Sequence, residues 1–210
     1  MRNFFGLFSL LVLAACQPQP KGYTIEGTLT NADGKTVLLT AFTADGGQTL
    51  DTIHPVDNQF SVKGMLEQPV LISLTVDGSK QRLSFFGENA KYKLTADADS
   101  LDKGVVETES LVQKEYAQVV SDLKAVQTQQ ETIVNGYNQA KSEGNDVLAE
   151  SFIKQYDSLD VVTGDIMTAF IKAKPQSPVS AMFVRNKFSY GSLDEMKAGV
   201  AMLDTVLASS

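Results

Sequence analysis

The chain has 210 residues, with 18 Lys and Arg against 25 Asp and Glu, one His, one Cys and no Trp, for a net charge of −7. An acidic balance with a pI near 4.7 excludes nucleic acid as a partner, because phosphates need clustered Lys and Arg. A single cysteine excludes an internal disulfide, a Cys-x-x-Cys redox pair and a cysteine zinc cage, and a single histidine removes most triads and His-rich metal sites.

Met1-Arg2-Asn3 is a short positive region, and Phe4 to Leu13 is an apolar run of a secretory signal's length, too short to span a bilayer. The run ends in Leu13-Ala14-Ala15-Cys16, which resembles the bacterial lipobox. That resemblance implies a signal peptide over 1–15 and acylation of Cys16, which would anchor the chain in a membrane. Residues 16–21, Gln-Pro rich, read as an extended tether. Gln17 is not the aspartate associated with inner-membrane retention, and no acidic run follows Cys16. The expected location is therefore the outer membrane, facing the periplasm.

Residues 22–102 read as a β-domain. Tyr23, Ile25 and Leu29 alternate with polar residues, and Asn31-Ala32-Asp33-Gly34 follows as a turn. Further strands are expected at 36–43, 50–56, 60–65, 70–76, 83–86 and 92–95, with Asp45-Gly46-Gly47 and Asp77-Gly78-Ser79 among the turns. Short strands at this spacing predict an antiparallel β-sandwich or a partly open barrel.

Residues 103–210 read as helical. Val112, Tyr116, Val119, Leu123, Val126, Ile133 and Tyr137 form one stripe at helical spacing, interrupted by Gln130. Lys141 to Asp146 breaks it, and Leu148, Phe152, Leu159, Ile166 and Phe170 form a second stripe. The pattern predicts a long antiparallel helical hairpin, then two shorter helices over 177–188 and 192–207. The fold class expected is α+β, strands first.

No catalytic, cofactor-binding or metal-binding set emerges. His54 could pair with Asp51 or Asp57 but reads as a partly exposed strand residue. Asp97 to Asp102 lacks the glycine and distal glutamate of a calcium loop and reads as a strand-to-helix loop. Gly46-Gly47 leads into no phosphate-loop helix, and no Gly-x-Ser-x-Gly elbow is present. Lys80, Arg82, Lys91 and Lys93 are interleaved with acids. Asp51 and Glu88 are the carboxylates a hydrolase reading would need. Phe85 and Phe86, being adjacent in a strand, should face opposite ways, one into the core and one toward a neighbour or the helices. Gln113, Gln118, Gln127, Gln129 and Gln130 read as mostly an exposed polar face.

Tyr23 to Leu29, Asp33-Gly34-Lys35 with Val37 and Leu39, Leu50-Asp51-Thr52 and Asn58 to Gly64 together resemble one family. It is the domain of unknown function that precedes the thioredoxin domain of many Gram-negative envelope lipoproteins, which are thiol–disulfide oxidoreductases or peroxiredoxin-like. Phe85-Phe86-Gly87-Glu88-Asn89 matches its next signature, with Ala90 where glycine is more usual. Lys174 to Ala181 and Asp194 to Ser210 resemble its later segments.

The resemblance implies a thioredoxin domain after Ser210, whereas thiol exchange needs a thiolate this sequence lacks once Cys16 is acylated. Two readings follow. The first is a non-catalytic binding or scaffolding module whose partners are the membrane, through its lipid anchor, and envelope proteins or a thioredoxin-like domain. The second is the N-terminal portion of an oxidoreductase.

Overall fold

The computed structural model describes residues 21–43, 45–188 and 192–204. Cys16, the signal segment and the expected helix end at Leu207 lie outside the described residues. Eight strands come first: β1 (Tyr23–Thr30), β2 (Val37–Thr43), β3 (Gly46–Ile53), β4 (Gln59–Gly64), β5 (Val70–Val76), β6 (Arg82–Gly87), β7 (Lys91–Asp97) and β8 (Val105–Thr108). They form two four-stranded sheets, in the orders β4-β1-β7-β8 and β3-β2-β5-β6. Every pairing is antiparallel except β1 with β7, which run parallel.

The sheets pack face to face as a sandwich, not a closed barrel. Alternation decides which face is inside: Tyr23, Ile25 and Leu29 of β1 are buried while Glu26, Thr28 and Thr30 are exposed. They meet Val37, Leu39, Ile72, Leu74, Leu83 and Phe85 from the other sheet in one apolar core. Two glycines on β1 and β4 make room for aromatic rings from the paired strand. A Cβ on Gly27 would stand 2.0 Å from the Phe60 ring, and one on Gly64 would stand 2.4 Å from the Tyr23 hydroxyl.

Two details depart from the sequence reading. The Gly46-Gly47 pair belongs to β3, because Thr43 pairs directly with Gly46 and Phe42 with Gly47. An eighth strand, β8, lies within the stretch expected to be helical. It extends the first sheet beyond β7, and only four residues long, it shows too little alternation to register in the sequence.

The helices are α1 (Leu111–Ser142), α2 (Asp146–Ala173), α3 (Pro178–Phe188) and α4 (Leu193–Val200). α1 starts at Ser110, whose hydroxyl accepts from the Gln113 N–H. It ends in a Schellman arrangement: Gly144 is left-handed at φ 69°, its N–H reaches the Lys141 carbonyl and the Asn145 N–H reaches the Ala140 carbonyl. Asn145 then caps α2 by accepting from the Leu148 N–H. This three-residue link makes α1 and α2 an antiparallel hairpin. Close approach within it occurs at Gly136, where a Cβ would stand 2.5 Å from the Phe152 ring. No helix among the described residues is long and apolar enough to cross a membrane.

Candidate functional site

The second apolar core joins the helices to the sandwich. Val119, Leu123, Ile171, Val179, Phe183 and Val184 gather around Phe86, with Leu71 beside it. Phe85 is fully buried between the sheets, while Phe86 turns outward and packs its ring 5.9 Å from that of Tyr116 on α1. The two-sided expectation for this pair is met, and Phe86 and Leu71 are the sandwich's contribution to the helical core. Phe170 and Phe183 close that core edge to face, with ring centroids 5.7 Å apart.

Hydrogen bonds reinforce the joint. β6 is an edge strand, so the N–H groups on its free side need partners from outside the sheet. Gln113 supplies one: its Oε1 accepts from the Phe86 N–H at 2.7 Å. Gln113 is thus buried, an exception to the exposed glutamine face of α1. The Ser110 hydroxyl donates to the Glu88 carboxylate, and the Glu88 N–H donates to the Tyr92 hydroxyl at 2.8 Å. Asn89 grips the β4–β5 loop twice, accepting from the Leu66 N–H and donating to the Leu66 carbonyl. Burial pushes the phenol of Tyr92 above its usual range despite the Glu88 N–H, and burial does the same for Tyr116. The turn over 88–90 needs no glycine, since none of its residues has a positive φ and the Ala90 N–H bonds to the Glu88 carbonyl.

The carboxylates considered from the sequence are not brought together. Asp51 lies on β3 and Glu88 follows β6, at opposite edges of a four-stranded sheet and so about 14 Å apart from strand spacing alone. Asp51 instead accepts from the Thr52 N–H, and His54 is exposed just beyond β3. Asp97 fastens the end of β7. Hydrogen bonds from the Asp99 N–H, the Thr30 hydroxyl and the Asn31 amide hold its carboxyl below the usual range. The segment after it is a single 3-10 turn, Leu101–Lys103, leading to β8 rather than into α1. No cluster of three or more metal-ligating side chains occurs among the described residues. Lys80 lies in the β5–β6 turn and Arg82 at the start of β6, whereas Lys91 and Lys93 lie on β7 of the other sheet.

Two open depressions, of 510 Å³ and 460 Å³, lie on the outer faces of the sheets. The first is floored by the β5–β6 turn, and the second brings together Glu26, Phe60 and Lys93. One buried hydroxyl among the described residues, that of Ser73, has no hydrogen-bond partner.

The architecture is that of a β-sandwich with a helical layer docked on the edge and outer face of one sheet. The chain belongs to the family described as a domain of unknown function, DUF4369, which it matches over residues 23–145. That span takes in the whole sandwich, its side of the joint, all of α1 and the link to α2. No curated protein matches the chain.

Proposed function

We propose that this protein is a lipid-anchored envelope module of the outer membrane, facing the periplasm, that binds or spaces other proteins and performs no catalysis itself. The observation that carries the reading is the use made of the Phe85 to Asn89 signature. Its groups are spent on structure: Phe86 on Tyr116 and Gln113 and Glu88 on Ser110 fasten α1 to the sheet, while Phe85 fills the core between the sheets, the Glu88 N–H holds Tyr92 and Asn89 holds the β4–β5 loop at Leu66. A segment engaged this way positions a helical hairpin rather than a substrate. The hairpin is long, about 45 Å at 1.5 Å per residue, and carries apolar side chains at its surface, with Val161 62% and Ile153 48% exposed. Such a projection suits a spacer or a docking arm.

The resemblance to accessory regions of thioredoxin-like lipoproteins supports a second reading, in which this module positions a catalytic domain encoded beyond residue 210. Intact mass of the protein immunoprecipitated from its own envelope fraction tests both. Acyl mass on a chain starting at Cys16 and ending at Ser210 supports the stand-alone module. An additional mass of roughly 100–150 residues supports the front half of an oxidoreductase. An unacylated chain refutes the anchor. Recovery of the bait alone after crosslinking in intact cells counts against a scaffolding role.

A further inference from the structure

One end of the sandwich gathers the elements of a membrane-facing surface. Gly22 lies against Gly64 and Met65, and the Thr24 N–H bonds to the Ala90 carbonyl. Thr108 bonds to the Lys91 carbonyl, and Ser110 bonds to Glu88. The entry to β1, the β4–β5 loop, the β6–β7 turn and the start of α1 therefore share this end.

Two large apolar side chains stand out from it, Met65 and Leu111, each 74% exposed. Neither is exposed through a slack loop. Met65 precedes Leu66, which Asn89 holds at both its N–H and its carbonyl. Leu111 follows Ser110, the bonded cap of α1.

Lysines without ion-pair partners among the described residues gather at this end. Lys63 and Lys91 flank Thr24 on the outer face of the first sheet, and Lys21 precedes β1, all three exposed and without an ion-pair partner among the described residues. The acids nearby are Glu67, Glu88, which is bonded to Ser110, Glu109, which is paired with Lys114, and Asp51. Burial, and after it the Asp51 charge, raises the Tyr23 phenol at the start of β1. Glu26 and Glu107 lie one pair farther along the sheet, on either side of Lys93.

The length of chain before Gly22 limits how far this end can stand from an anchor at Cys16. Cys16 to Gly22 is six residues, which span at most about 20 Å when fully extended. We infer that this end of the sandwich seats on an anionic phospholipid surface. Met65 and Leu111 enter the interface, while Lys21, Lys63 and Lys91 sit at the headgroups. The inference deepens the proposed function and rests on its reading of Cys16 as the anchor.

The absence of tryptophan makes the test direct, because one introduced indole is a unique reporter. Met65→Trp, Leu111→Trp and, as control, Val56→Trp are prepared in the chain starting at Cys16. Val56 is 70% exposed at the opposite end of β1, about 17 Å away along the strand. The Cys16 thiol is coupled to a maleimide lipid in vesicles of phosphatidylethanolamine and brominated phosphatidylglycerol. Bromine then quenches indoles that reach the acyl chains. Quenching at positions 65 and 111 should exceed that at 56 by about threefold or more. Charge reversal at Lys21, Lys63 and Lys91 should bring it down to the level of position 56. Equal quenching at all three positions, or quenching indifferent to the charge reversal, overturns the inference. Because the coupling is chemical, either result is independent of whether cells acylate Cys16, which the intact mass decides separately.

Discussion

Phe85 and Phe86 are neighbours of identical chemistry assigned to different cores, so truncating each in turn tests the division of the molecule. Phe86→Ala removes a ring that is 2% exposed, packed on Tyr116 and surrounded by Val119, Phe183 and Ile171. Phenylalanine truncation in a packed core costs about 3–5 kcal/mol, of which the aromatic pair accounts for about 0.5–1.5. Since Phe86 and Leu71 are what the sandwich places in the helical core, the loss should fall on the docking of α1, α2 and α3. Native-state hydrogen exchange resolves this by segment. A weakening of about 3 kcal/mol accelerates exchange through helix opening by roughly 150-fold, while amides of β1, β2 and β7 should change less than about tenfold. Phe85→Ala, with the same loss of side chain but a fully buried site between the sheets, should speed exchange in the strands at least as much as in the helices. Indistinguishable profiles for the two variants would refute the two-core account.

Further outcomes follow from single contacts. Gln113→Ala strands the Phe86 N–H in a buried setting and should destabilise by about 1–3 kcal/mol in urea unfolding, whereas Gln118→Ala, on the exposed face, should change almost nothing. Gly27→Ala should lower the melting temperature because its methyl meets the Phe60 ring, and a second change, Phe60→Ala, should cost less in that background than in the native one. Ser73→Ala removes a buried hydroxyl without a partner, so the urea midpoint should hold or rise; a clear fall would mean that the hydroxyl is bonded.

The tyrosines set the alkaline limb. Burial raises the phenols of Tyr92 and Tyr116 in the folded state above the unfolded value of about 10. The folded chain then binds more protons than the unfolded one above that value. Stability present below pH 10 is therefore lost as pH rises toward the folded values. Urea midpoints between pH 8 and about 11 should fall, and Tyr116→Phe should flatten that fall.

Much of this was legible in the chain because local physics leaves periodic marks. The alternation of Tyr23, Ile25 and Leu29 named the inner face of β1, and the Val112 to Tyr137 stripe named the inner face of α1. The Lys141 to Asp146 break contains both a left-handed glycine and an asparagine cap, which is why the hairpin's link was readable. The opposed facing of Phe85 and Phe86 follows from the pleat alone. Long-range pairing leaves no such mark. That β1 lies beside β7 in parallel, that β8 extends the first sheet and that Asp51 and Glu88 end up at opposite edges all depend on which strands meet. Gln113 shows the limit most plainly. Its residue type matches the exposed glutamines of α1, yet it is buried because an edge strand left one N–H in need of an acceptor. Composition and period decide which faces are apolar. Only the packed chain decides which polar group satisfies which, since an unpaired group becomes costly only once tertiary contacts have removed its water.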